Sequence, residues 1–345
     1  MVTLTIDNKQ VTVPEGTTIL KAAHKVGIRI PTLCFHERLN PIGSCRMCVV
    51  DINGYTQPVA SCTTPVINDI IVTTDSDRLF RLRQETLKLI LVNHPLDCPV
   101  CDKAGECLLQ DLAYEFGIET SGYQTNGLLR DTDYTTPLIR YWPQRCIMCL
   151  RCVSACREIK GLSAIDVVGS GYLSQISPVD KDKCESCGEC LMVCPTGALT
   201  ENLSRYKTRP WMVKRVKTTC AYCGCGCQLE LNVMNNRVVG ITTRQHAGVN
   251  RGSLCVKGRF GYEFISSDER LKKPLIKENG EFKEATWDEA LSLVAARLSK
   301  IKDESGPDAI AGLSSARCTN EENYLFQKFM RAVIGTNNVD HCARL

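Results

Sequence analysis

Nineteen of the 22 cysteines stand in five closely spaced groups, and one histidine completes the second group. Thiolates at such spacings bind iron–sulfur clusters or zinc, so the chain is expected to fold as loops around metal sites. Large apolar cores are not expected, because aromatic residues make up only 6% of the 345 residues. The three cysteines outside the groups, Cys225, Cys318 and Cys342, are predicted to be ordinary buried thiols.

Composition limits the compartment and the classes of partner. A disulfide scaffold would need a higher cysteine fraction, and residues 1–6 alternate in polarity instead of forming a secretory signal. No apolar run reaches the roughly 18 residues that a membrane span needs, and a net charge of +4 is too small to indicate nucleic-acid binding. We therefore expect a cytoplasmic protein, in which clustered cysteines bind metal more often than they form disulfides.

The first group lies within a predicted domain of residues 1–78. Its members are Cys34, Cys45, Cys48 and Cys62. Alternation over residues 2–13 predicts a β-hairpin, and residues 18–26 have helical spacing that ends at Gly27. One close pair and two distant cysteines favour a [2Fe–2S] cluster, whereas zinc ribbons usually supply two close pairs. This group and its framework resemble the plant-type ferredoxin domain at the head of complex I's large iron–sulfur subunit, and His36 is predicted to be a surface residue.

The second group adds a histidine to three cysteines, in a segment predicted to span residues 79–123. A helical pattern over residues 77–93 leads into the group. Its members are His94, Cys98, Cys101 and Cys107. Four such ligands suit either a [4Fe–4S] cluster or a zinc ion. Residues 94–111 resemble the histidine-ligated [4Fe–4S] segment of the same complex I subunit in residue types and spacing, which implies a cluster.

An internal repeat supplies the third and fourth groups, within a predicted domain of residues 138–208. Four cysteines recur 38 residues later at the same spacing: Cys146, Cys149, Cys152 and Cys156, then Cys184, Cys187, Cys190 and Cys194. This is the two-cluster bacterial ferredoxin run, in which the fourth cysteine of each run binds the other cluster. We therefore predict that Cys194 completes the [4Fe–4S] cluster of the first run and Cys156 that of the second. Two complete sets resemble iron hydrogenases and formate dehydrogenases rather than complex I, which typically keeps one cluster here.

The fifth group lies in a predicted small domain of residues 213–270. Its members are Cys220, Cys223, Cys227 and Cys255, and the stretch before Cys255 alternates like a small sheet. Cys225 could replace Cys227 but would crowd the neighbouring ligands. These residues, with Lys257, resemble the [4Fe–4S] domain of the molybdopterin oxidoreductases. The resemblance implies that Lys257 lies between the cluster and the pterin, and a solvated lysine is the alternative.

Residues 271–345 are predicted to begin an α/β domain. Capping boxes at Thr286 and Thr319 each open a helix, and residues 308–313 are predicted to form a strand between them. Residues 331–345 resemble the formate dehydrogenase segment that leads to the metal ligand. In that family the next residue is selenocysteine or cysteine bound to molybdenum or tungsten. We therefore expect a reading frame that continues after Leu345 through a UGA codon read as selenocysteine.

These resemblances imply the front part of a formate dehydrogenase catalytic subunit with an α+β multidomain fold. Its parts would be a β-grasp ferredoxin domain, a helical His/Cys3 segment, a two-cluster ferredoxin-like domain, a small [4Fe–4S] domain and the start of an α/β molybdopterin domain. The implied cofactors are one [2Fe–2S] and four [4Fe–4S] clusters, and a molybdenum or tungsten bis-molybdopterin guanine dinucleotide in the full enzyme.

The implied reaction is the reversible oxidation of formate to CO2. The implied electron acceptors are a flavin- or NAD(P)-binding iron–sulfur subunit, hydrogenase subunits or ferredoxin. Residues 1–345 alone are expected to transfer electrons without oxidising formate. The main alternative is a non-catalytic electron-transfer subunit of a hydrogenase or an NADH dehydrogenase-like complex, with a complex I subunit and a disulfide-rich interaction protein as further alternatives.

Overall fold

The structure is a computed structural model that describes residues 1–124, 136–204, 207–244 and 247–341. Within these ranges the α-helices are α1 (Ile19–Lys25), α2 (Asp77–Leu91), α3 (Leu108–Glu115), α4 (Arg151–Ser154), α5 (Glu189–Val193), α6 (Val256–Phe260), α7 (Trp287–Ser305) and α8 (Asn320–Phe329). None of the helices in the described ranges is long and apolar enough to cross a membrane.

The strands are short and form several small sheets. They are β1 (Val2–Ile6), β2 (Lys9–Val13), β3 (Val49–Ile52), β4 (Val59–Ala60), β5 (Ile71–Thr73), β6 (Ile139–Tyr141), β7 (Ile165–Val168), β8 (Gln175–Pro178), β9 (Leu199–Glu201), β10 (Lys214–Thr219), β11 (Gln228–Met234), β12 (Arg237–Thr242), β13 (Leu275–Glu278), β14 (Glu281–Glu284), β15 (Gly312–Ser314) and β16 (Val339–His341). The chain divides into two compact units, Met1–Lys214 with Leu254–Arg259, and Arg215–Ser253 with Phe260–Leu345.

The first five strands form one mixed sheet in the order β2-β1-β5-β3-β4. β1 pairs antiparallel with β2, so the predicted hairpin is confirmed, and it pairs parallel with β5. The predicted helix is also confirmed, because the hydroxyl of Thr18 caps α1 by accepting the N–H of Lys21. Apolar side chains of the sheet and of α1 form one core that includes Cys48 and Cys62. The core of this domain therefore anchors two members of the first group.

Two helices position the second group. α2 begins after its N-cap residue Ser76 and follows the predicted helical pattern. Leu87 and Leu91 of α2 pack against Leu109 and Leu112 of α3 in a separate apolar cluster. All four members of the second group lie in or at the end of the loop that joins these helices.

The backbone repeats along with the cysteines of the third and fourth groups. Met148 and Leu150 have positive φ angles of 53° and 63°, and the residues 38 positions later, Ser186 and Gly188, have φ angles of 50° and 74°. Positive φ is uncommon for residues other than glycine, so its recurrence at matched positions marks one loop conformation used twice. Each loop leads directly into a short helix, α4 or α5. Two antiparallel strand pairs, β6 with β9 and β7 with β8, accompany these loops.

The second unit contains the elements predicted for the last third of the chain. β11 pairs antiparallel with β12 in a three-stranded sheet with β10, and both predicted capping boxes are present at Thr286 and Thr319. The strand predicted over residues 308–313 is wrong in its first half, where Pro307–Ala309 form a 3-10 turn. The fixed φ of Pro307 suits a helical turn, so the strand begins only at Gly312.

Three expectations about isolated residues are wrong. Cys225 and Cys318 are exposed rather than buried, because each lies in a turn outside the apolar clusters. His36 is buried rather than on the surface, and its Nδ1 accepts the backbone N–H of Arg38 at 3.3 Å. The expectation for Cys342 concerns a residue outside the described ranges.

Candidate metal centres

The first group is held by a loop that packs onto the five-stranded sheet. The N–H of Cys34 donates to Sγ of Cys45 at 3.4 Å, and the N–H of Cys45 donates to Sγ of Cys34 at 3.5 Å. A hydrogen bond from the Cys62 thiol lowers the pKa of Cys48 to about 6. Bonds from neighbouring thiols lower the pKa of Cys34 as well. The same hydrogen bonds raise the pKa of their partners Cys45 and Cys62, so two of the four cysteines favour thiolate, the form of cysteine that binds metal.

Three members of the second group line a cavity between α2 and α3. His94, Cys98 and Cys107 line it together with leucines from both helices. Burial lowers the pKa of His94 to about 4, so the ring is neutral near pH 7. Its Nδ1 is buried and has no hydrogen-bond partner among the described residues. Cys101 does not line the cavity, but it is buried and the nearby Cys98 helps to raise its pKa.

The repeat brings together cysteines from different runs. One small apolar cavity is lined by four of them, Cys146, Cys149, Cys152 and Cys194. Burial raises the pKa of Cys149 to about 12, and the neighbouring Cys194 adds to the rise. Burial also raises the pKa of Cys190, with further contributions from Cys187, Cys184 and Cys156. The fold thus groups Cys194 with the first run and Cys156 with the second, as crossed ligation requires.

The fifth group is divided between the two units. Cys220, Cys223 and Cys227 belong to the second unit, whereas Cys255 belongs to the first and directly precedes α6. The N–H of Cys220 donates to the carbonyl of Cys227 at 2.8 Å. The exposed Cys225 lies with its Sγ 3.5 Å from that of Cys227.

The donor chemistry of these groups fits iron–sulfur clusters. No three side chains of His, Cys, Asp or Glu in the described ranges converge closely enough to hold a single metal ion. Burial raises the pKa of several thiols, including Cys107 to about 11. A bound cation is what would stabilise the thiolate form of such buried groups.

Side chains that the sequence did not single out connect the loops of the second and third groups. Arg145 is 3% exposed, and its Nε donates to Asp97 at 3.2 Å. A Cβ built on Gly197 would lie 2.3 Å from Sγ of Cys101 and 3.5 Å from Cδ of Arg145. Sequence did offer one signal for Arg145, since it directly precedes Cys146 in the repeat. Gly197 carries no sequence pattern that reveals a contact with a residue 96 positions earlier.

We expect Gly197→Ala to displace Cys101 and to release most of the metal of the second group, up to about four iron atoms per chain. The added methyl group has no room beside the sulfur, and overpacking of this kind costs about 1–3 kcal/mol. Iron analysis and EPR of anaerobically prepared protein measure the loss. The matched control is Gly224→Ala, whose Cβ would come no closer than 3.8 Å to another residue. Unchanged iron in the Gly197 variant would show that Cys101 is not a ligand at this position.

Family comparisons divide almost the whole chain among five known domain families. In chain order they are the 2Fe-2S iron-sulfur cluster binding domain (residues 1–77), the NADH-ubiquinone oxidoreductase-G iron-sulfur binding region (83–121), the NADH-quinone oxidoreductase subunit 3 ferredoxin-like domain (136–200), the molybdopterin oxidoreductase Fe4S4 domain (213–267) and molybdopterin oxidoreductase (270–345). The chain therefore combines [2Fe–2S] and [4Fe–4S] domains with the start of a molybdopterin domain.

A solved relative shares this arrangement in part. One chain of an NAD+-reducing [NiFe]-hydrogenase in its H2-reduced state is 32% identical, with a TM-score of 0.55 over 60% of this chain and 90% of that chain. The protein belongs to the same iron–sulfur family as this hydrogenase chain, and its residues 213–267 and 270–345 match molybdopterin oxidoreductase domains. Its relatives thus include a named subunit of an NADH-quinone oxidoreductase and a chain of a hydrogenase.

Curated relatives match the subunit along its whole length. The alpha subunit of the NADPH-Fe(3+) oxidoreductase of Geobacter sulfurreducens is 46% identical over 100% of this chain and 40% of its own. A G-type subunit of the NADH-quinone oxidoreductase of Rhizobium meliloti is 39% identical over the same shares. A Staphylococcus aureus protein named provisionally as a formate dehydrogenase is 33% identical over 99% of this chain and 39% of its own. The chain spans about 40% of the length of these relatives.

Proposed function

We propose that the subunit conducts electrons through five iron–sulfur clusters between a molybdopterin site and its [2Fe–2S] domain. The observation that carries this proposal is the close approach of Gly197 to Cys101, because it sets a second-group ligand against the loop that ends the repeat. Electron tunnelling slows steeply with distance, so a conducting chain needs neighbouring clusters near one another, and this approach brings the loop of the second group close to the repeat. Bound in the five groups, the clusters would carry single electrons from one end of the chain to the other.

The proposed ligands are the 19 cysteines and one histidine of the five groups, with Cys156 and Cys194 exchanged between the two runs. The cavity shared by Cys194 and the first run supports this exchange. Lys257, which lies two residues after Cys255, is proposed to face the pterin. Its ammonium group would offset the negative charge of a reduced cluster or of a phosphate-bearing cofactor.

We propose formate as the substrate of the full-length protein. Support comes from the resemblance of residues 331–345 to the formate dehydrogenase segment and from the Staphylococcus aureus relative. Oxidation of formate to CO2 releases two electrons and one proton, and one-electron carriers would pass the electrons on singly. The proposed metal is molybdenum or tungsten on a bis-molybdopterin guanine dinucleotide, with selenocysteine or cysteine after Leu345 as its ligand.

A second candidate is electron transfer from a reduced nicotinamide cofactor. It is favoured by the relative named NADPH-Fe(3+) oxidoreductase, which is 46% identical over the whole of this chain. In that case the [2Fe–2S] domain would receive electrons from a nicotinamide-oxidising partner instead of delivering them. For either direction we propose a cytoplasmic complex with a flavin- or NAD(P)-binding iron–sulfur subunit, hydrogenase subunits or ferredoxin.

The two candidates differ in which reductant reaches the clusters. We expect formate to reduce the clusters of the anaerobically purified full-length protein, and NADPH to do so only when a nucleotide-binding partner subunit is present. EPR after rapid mixing with each reductant measures this directly. Cluster reduction by NADPH with the native complex, and none by formate, would replace the formate proposal with the second candidate.

A further inference from the structure

Arg151 is a buried cation beside the cysteines of the first run. It opens α4, and only 5% of its surface is exposed. No carboxylate forms an ion pair with it among the described residues, and its Nε has no hydrogen-bond partner there. A buried arginine without a counterion is costly unless other negative charge compensates it. The compensating charge must therefore come from another kind of group.

The guanidinium of Arg151 reaches peptides beside ligands of two different groups. One Nη donates to the carbonyl of Phe35, the residue after Cys34. The other Nη donates to the carbonyl of Val193 at 3.4 Å. That carbonyl belongs to the peptide bond between Val193 and Cys194. Arg151 thus joins a ligand loop of the first group to a ligand of the first-run set by hydrogen bonds.

The charges around Arg151 are those of cysteines. Burial lowers the pKa of Arg151. The neighbouring groups whose charge raises that pKa most are Cys149, Cys34, Cys194 and Cys45. Two of these cysteines belong to the proposed [2Fe–2S] set and two to the proposed first-run [4Fe–4S] set. The clusters that such thiolates hold are anionic, so they supply the negative charge that a carboxylate supplies elsewhere.

Another buried arginine of the same unit lies beside a carboxylate, which is the more usual way to compensate a buried positive charge. Arg259 is 2% exposed, and its Nη2 lies 3.3 Å from Oε1 of Glu189. Its Nε donates to the carbonyl of Cys187 at 2.9 Å. Arg259 therefore contacts the second run with a carboxylate beside it, although Glu189 also pairs with Arg38 at 3.3 Å, whereas no carboxylate of the described ranges pairs with Arg151.

We propose that Arg151 is a positioning residue that raises the reduction potentials of both the [2Fe–2S] cluster and the first-run [4Fe–4S] cluster and links the two for electron transfer. A fixed positive charge stabilises the reduced form of a cluster, because that form carries one more negative charge. The effect is strong where water is excluded and weak at the surface. This inference rests on the cluster assignments of the proposed function.

The test is an EPR-monitored redox titration of the full protein carrying Arg151→Gln. We expect the reduced-to-oxidised ratio of these two clusters at a fixed potential to fall about tenfold, which is ~59 mV for a one-electron couple. The other three clusters are expected to keep their potentials. Arg157→Gln is the matched control, since Arg157 is exposed, stands one residue after a ligand cysteine and is paired with Asp166 at 3.0 Å.

Iron analysis first establishes that the clusters are present, so a failed cluster assignment is distinguished from a failed role for Arg151. Unchanged potentials of both clusters in a fully loaded Gln variant would overturn the proposal, as would an equal shift of all five. If the Gln variant assembles its clusters incompletely, Arg151→Lys retains the charge with fewer hydrogen bonds. Because lysine keeps the positive charge, the Lys variant is expected to change the ratio of these two clusters by less than tenfold. A fall of tenfold or more in the Lys variant would contradict the proposal.

Discussion

Replacing Cys194 by alanine is expected to remove the cluster of the first run, and Cys156→Ala is expected to remove that of the second. Each substitution deletes one of four ligands from a cube held mainly by the other run. Cys194 lines the same cavity as Cys146, Cys149 and Cys152, which is the physical basis of the exchange. About four iron atoms should be lost in each variant, and the thiols of the emptied site should become free.

Thiol alkylation followed by mass spectrometry identifies which site each variant empties. In the Cys194 variant we expect labelling of three first-run cysteines, Cys146, Cys149 and Cys152. We expect protection of Cys156 and of the remaining second-run cysteines, Cys184, Cys187 and Cys190. The Cys156 variant should give the reverse pattern. Cys318→Ala is the control, because that thiol is exposed and belongs to none of the groups. Labelling of Cys184, Cys187 and Cys190 in the Cys194 variant would mean that each run holds its own cluster.

The substitution His94→Ala is expected to lower the iron content from about 18 to about 14 atoms per chain. The Nδ1 atom of His94 is buried without a partner in the described part of the chain, and the ring is neutral, as a metal ligand requires. His94→Cys should keep the cluster, because thiolate is the more usual ligand, and should lower its potential by adding negative charge. His24→Ala is the control, since His24 lies on α1 and packs its ring against Phe35.

Metal analysis of these variants also separates iron from zinc at the second group. Loss of one zinc ion, with unchanged iron, would assign this group to a His/Cys3 zinc site. Unchanged metal in His94→Ala, together with unchanged EPR signals, would remove the histidine from the ligand set altogether.

Local features of the fold could be predicted because their signals lie within a few residues. The capping boxes at Thr286 and Thr319 and the cap at Thr18 join side chains to backbone only three residues away. The repeat was equally visible, since equal cysteine spacing favours equal loop conformations, as the shared positive φ of Leu150 and Gly188 illustrates.

Contacts between distant segments could not be predicted in this way. The bond from Arg151 to Phe35 spans 116 positions, and periodicity in either segment carries no information about the other. The burial of His36 has the same cause, because it depends on what packs over its loop rather than on its neighbours in sequence. The exposure of Cys225 follows from a turn between Gly224 and Gly226, where the chain has little apolar surface to cover a thiol.

The central claim is that the protein carries five electron-transferring clusters, and a reductive titration of the unmodified protein tests it most directly. One two-iron and four four-iron clusters correspond to about 18 iron atoms, each cluster accepting one electron. Anaerobic titration with dithionite, with iron and sulfide measured on the same sample, is therefore predicted to place five electrons per chain in the clusters, in addition to any that a bound molybdenum or tungsten accepts. Zinc in place of iron, or an end point of fewer than five electrons in a fully loaded sample, would contradict the account.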